Sequence, residues 1–88
     1  MDDSTLLNQL EELAHRLTIE IRYVTVRQED FWAVGGLCRI KDKYIIIVNK
    51  KSTVKDKIHT LTRAIKRFDL SQVYVRPALR EFLEMFPE

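Results

Sequence analysis

Eighty-eight residues with a formal net charge of +2, 45% hydrophobic and 32% charged side chains, describe one small globular domain over residues 1–88. Two Gly and two Pro are too few for a linker, a collagen-like repeat or a disordered tail, and one Cys excludes a disulfide framework and a zinc finger. The longest aliphatic and aromatic run covers only residues 44–48 against roughly 20 for a membrane helix, and Met1-Asp2-Asp3 is no basic leader, so a cytoplasmic protein with no membrane segment is expected.

Leu6, Leu7, Leu10, Leu13, Ala14 and Leu17 recur at helical spacing, with Asn8, Glu11, Glu12 and Arg16 largely opposite. This predicts a first helix, capped by Asp3 or Ser4. The period then shortens to two. Ile19, Ile21 and Tyr23 alternate with Glu20 and Arg22 as a strand with one wet face, and Val24 and Val26 shift the phase. Gly35-Gly36 suggests a turn or bulge with positive φ. Residues 37–40 and 44–48 flank the polar connection Lys41-Asp42-Lys43, which suits a hairpin. The second of these strands is continuously apolar, as an interior strand covered on both faces would be.

From Ser52 the helical period returns, with Val54, Ile58, Leu61, Ile65 and Phe68 in one stripe and Thr53 and Asp56 spaced as a capping box. A short extended stretch follows over residues 70–75. Pro77 then suits a first helical turn, and Leu79, Phe82, Leu83 and Phe86 stripe a third helix that Pro87 ends. The expected fold class is α+β: helix, three-stranded mainly antiparallel sheet, two helices, in two layers.

Catalytic chemistry is scarce. His15 and His59 are not followed at i+3 or i+4 by a second metal ligand. Cys38 reads as a small buried hydrophobe with no base marked near it, and Gly35-Gly36 lacks the helix and further glycines of a phosphate-binding loop. No cofactor, metal or enzymatic activity is expected.

Charge is more informative. Residues 39–67 carry ten Lys and Arg against Asp42 and Asp56, a net +8, while residues 1–38 carry −4 and residues 68–88 carry −2. On a helical wheel Lys55, His59, Arg63, Lys66 and Arg67 gather opposite Ile58, Leu61 and Ile65. Such a face is either a solvated surface or a docking surface for an acidic protein or nucleic acid. Phe31 and Trp32, beside Glu29-Asp30, are a second candidate: a lid on the core, or an exposed anchor for a partner.

The order helix, Leu17-Thr-Ile-Glu-Ile21, Gly36-Leu-Cys-Arg-Ile40, Tyr44-Ile-Ile-Ile-Val-Asn49 and a capped helix resembles the core of ImmA/IrrE-type zinc peptidase domains, over roughly residues 6–67. The resemblance implies a minimal zincin-like fold. It aligns Arg63, Ala64 and Arg67 with the His, Glu and His of that family's metal motif, so the implied protein is an inactive relative without zinc. Gly35 to Arg39 and Phe68 to Ala78 also resemble segments of small bacterial proteins with no assigned activity.

The expected function is therefore non-enzymatic binding through the basic helix face, with weak, sequence-indifferent nucleic-acid binding as the alternative. A monomer or weak homodimer is expected, associating through a sheet edge or the Phe31-Trp32 region.

Overall fold

The computed structural model describes residues 1–25 and 36–87. The first helix, α1, spans Asp3–Arg16 and is capped by Asp2, whose carboxylate accepts the Thr5 N–H at 2.8 Å. The cap thus lies just before the expected Asp3 or Ser4. That bond holds the Asp2 carboxyl below the usual carboxylate range. Leu17 closes the helix by donating to the carbonyls of Leu13 and Ala14, and Thr18 turns the chain out with a φ of 63°.

Three strands follow: β1 (Ile19–Val24), β2 (Gly36–Ile40) and β3 (Lys43–Asn49). Gly36 lies within β2 with open space where a Cβ would stand and no positive φ, so the expected turn is not at this residue. Gly35 and Val26 lie outside the described residues. The β2–β3 loop is only Lys41-Asp42, with φ of 48° and 68°, the backbone of a two-residue type I′ hairpin.

The sheet is mixed rather than mainly antiparallel. Its order is β1-β3-β2, with β3 antiparallel to β2 and parallel to β1. The tight hairpin fixes β2 on one side of β3, and β1 pairs on the other side, running in the same direction as β3.

The helix α2 (Val54–Ile65) starts from Thr53, whose hydroxyl accepts the Asp56 N–H at 3.1 Å. Ile58, Leu61 and Ile65 are buried as expected, while Val54, the first residue of the helix, is 39% exposed. Residues 70–73 form a turn instead of an extended stretch, closed by Val73 N–H to Leu70 C=O at 3.2 Å. The last helix, α3, spans Pro77–Met85 with the proline in its first turn.

One hydrophobic cluster joins these elements. It takes Leu10 and Leu13 from α1, Ile46 and Val48 from β3, Leu61 and Ile65 from α2, and Leu79 and Leu83 from α3. Each such aliphatic side chain contributes roughly 1.5–3 kcal/mol by leaving water. Helices and sheet thus make two layers. Strand alternation turns Ile45 to the opposite face, where it is buried outside that cluster, so β3 is the interior strand its composition predicts.

Candidate functional site

The apolar stripe of α2 fixes where its charges go. With Ile58, Leu61, Ala64 and Ile65 against the core, Lys55, His59, Arg63 and, just past the helix, Arg67 are left in solvent. Arg63, Lys66 and Arg67 lie in and beyond the last turn, where cations also offset the helix dipole. Among the described residues, no carboxylate lies within ion-pair distance of Arg63 or Arg67.

Lys66 departs from the expected open face. It is half-buried, and its ammonium donates to the Phe86 carbonyl at 2.9 Å while standing 5.9 Å from the Phe86 ring centroid. His59 meets the same ring edge-on, with centroids 5.2 Å apart. The end of α3 therefore lies against the basic side of α2. Arg63, Lys66, Arg67 and Phe86 line a concavity of ≈ 280 Å³ between them.

A second groove of ≈ 350 Å³ adjoins it and shares Arg67. Leu37, Cys38 and Arg39 of β2, Tyr44 of β3, and Phe68 complete its walls. Arg39 lies 5.7 Å above the Tyr44 ring, and an exposed contact of 3.1 Å joins it to Asp42. Tyr44 meets Phe68 edge-on. Arg39, Tyr44, Phe68 and Phe86 are the site residues that sequence reasoning did not assemble. The two-residue hairpin carries a usable signal for two of them, because it sets Arg39 and Tyr44 opposite each other on one face.

Of the sequence candidates, the structure brings Arg63, Lys66 and Arg67 together, with His59 beside them on Phe86. Lys55 stands exposed in the first turn of α2. Phe31 and Trp32 lie outside the described residues. The three positions aligned with the zinc motif do not share a surface: Ala64 is in the core, while Arg63 and Arg67 are exposed. Among the described residues, no three of His, Cys, Asp and Glu converge as metal ligands, and no helix is long and apolar enough to cross a membrane. No family model, curated protein or solved structure matches the chain.

Proposed function

We propose that the chain is a non-enzymatic cytoplasmic protein that binds an acidic protein partner through the basic side of α2. The observation carrying this reading is the pair of guanidinium groups, Arg63 and Arg67, in one concavity with no carboxylate partner among the described residues. Guanidinium is the cation best suited to two-pronged recognition of a carboxylate.

The same charge suits a phosphate backbone, but the aromatic rings favour the protein partner. Bases bind single-strand proteins by stacking on open ring faces. Here Arg39 lies over Tyr44, Lys66 over Phe86, and both rings make further edge contacts.

Arg63→Glu with Arg67→Glu is the decisive variant. Labelled polyglutamate, duplex DNA and single-stranded RNA are titrated against it and the wild-type chain by fluorescence anisotropy. Polyglutamate binding is expected to weaken at least tenfold in the variant. Preferred binding of DNA, with log K falling by about 0.9 per phosphate per unit of log salt, favours nucleic acid instead. If the double reversal leaves every interaction intact, the basic side is only a solvated surface and the proposal fails.

A further inference from the structure

We infer that the outer edge of β2 is a docking site for an extended acidic segment of a partner protein, which adds to the sheet as a fourth strand and sets its carboxylates against Arg39 and Arg67. This rests on the acidic-partner reading above and specifies the form the partner takes.

The hairpin determines which backbone groups are available. Positive φ at Lys41 and Asp42 makes a type I′ turn, in which Ile40 C=O accepts the Lys43 N–H. Antiparallel ladders alternate bonded and non-bonded pairs, so Cys38↔Ile45 and Gly36↔Ile47 are the next bonded pairs. Leu37 and Arg39 fall between them. Their N–H and C=O groups face away from β3, and among the described residues no strand pairs with that edge.

Side-chain alternation then places the same two residues over the groove. Leu37 packs against the core, Arg39 lies over Tyr44, and the ≈ 350 Å³ groove runs from them to Arg67 and Phe68. An added strand pairing with Leu37 and Arg39 therefore has alternate side chains beside the groove, within the field of both guanidiniums.

Charge selects the occupant. Arg39, Lys41 and Lys43 are all exposed along this end of the hairpin. A second copy of β2 offers Arg39 no carboxylate, because Arg39 is the one charged side chain of residues 36–40. A segment with Asp or Glu at alternate positions meets the opposite situation. Asp42 is a weak competitor for Arg39, since both groups are largely in solvent. Nucleic acid has no amide backbone to pair with Leu37 and Arg39.

The test uses the whole wild-type chain and two synthetic eight-residue peptides that alternate Glu and Val. The second peptide is N-methylated at every residue, which keeps its charge and removes its ability to form a strand. The parent peptide is expected to bind at least tenfold tighter, because methylation removes every backbone donor that could pair with the edge. Amide exchange at Leu37 and Arg39 is expected to slow on binding, with Cys38 unchanged. Equal affinity for the two peptides, or unchanged exchange at Leu37 and Arg39, overturns strand addition. Equal affinity combined with loss of binding in Arg63→Glu/Arg67→Glu overturns it while the acidic-partner reading stands. Binding of DNA or RNA but neither peptide overturns both. Protection of Leu37 and Arg39 that rises with chain concentration alone assigns the edge to a second copy and also overturns the proposal.

Discussion

The ring of Tyr44, near the start of β3, stands edge-on to that of Phe68, with centroids 4.9 Å apart and planes at 86°. The contact ties the sheet to the chain leaving α2, and so holds Arg67, the residue before Phe68, over the groove it shares with Arg39. Edge-to-face pairs are worth about 0.5–1.5 kcal/mol beyond the area they bury. A double-mutant cycle with Tyr44→Leu and Phe68→Leu in urea is expected to return a coupling in that range. Strict additivity would mean the rings are merely adjacent.

Thr62 presents a different case, a polar side chain in the core. It is fully buried in α2, and its hydroxyl has no hydrogen-bond partner among the described residues. A buried unsatisfied hydroxyl costs about 1–3 kcal/mol. Thr62→Val keeps the shape and removes the cost, so it is expected to raise unfolding stability by about 1 kcal/mol in chemical denaturation. A destabilised variant would show that the hydroxyl is satisfied in solution.

The hairpin offers a second gain. Left-handed backbone costs most residues roughly 1–2 kcal/mol, and Lys41 and Asp42 both adopt it. Asn-Gly is the pair best suited to a type I′ loop. Lys41→Asn with Asp42→Gly is expected to stabilise the chain by about 1 kcal/mol, after allowing for the extra freedom glycine brings to the unfolded state. Calorimetric unfolding checks this. A lowered Tm would mean that the Arg39–Asp42 pair matters more than the backbone.

Tyr23 makes stability depend on alkaline pH. Its hydroxyl donates to the Glu11 carboxylate, and the Lys57 ammonium lies 5.7 Å from its ring centroid. Burial, then the Glu11 bond and the Glu11 charge, push the phenol above its ordinary value of 10.0. The folded chain holds this proton more tightly than the unfolded chain does. The resulting stability is complete below pH 10.0 and is lost as pH rises through the elevated folded value. Tyr23→Phe is expected to be less stable than wild type at neutral pH, with the gap closing above pH 10.0. Melting curves at stepped pH measure that gap, and a constant gap would remove Tyr23 from the pH response.

Much of the fold was legible because its signals are periodic. Ile58, Leu61 and Ile65 recur at helical spacing and are buried, and the five apolar residues from Tyr44 mark an interior strand. Thr62 and Ala64 were missed as core because a threonine and a small residue carry little hydrophobic signal, although both sit in the α2 contact. Strand direction was not legible either. Nothing in Ile19-Glu-Ile-Arg-Tyr specifies a parallel partner, since alternation reports which face is buried and not which way the neighbour runs. At the site, the wheel placed Arg63 and Arg67 correctly in solvent. It did not foresee Lys66 turning to the Phe86 carbonyl, because that contact joins helices whose relative placement no local pattern encodes.

The mixed sheet has a kinetic consequence. Hairpin pairs begin at Ile40↔Lys43 and grow outward to Gly36↔Ile47, so each pair is close in sequence once its predecessor has formed. Every pair between β1 and β3, from Ile19↔Tyr44 to Val24↔Asn49, instead spans the same 25 positions. Before the hairpin forms, no end of that parallel ladder offers a shorter loop to close first, and its initial contact carries the full closure entropy wherever it is made. The first strand to leave the ribosome therefore waits for the third, and α1 holds Leu10 and Leu13 without their partners in β3 and α2 until the later segments arrive.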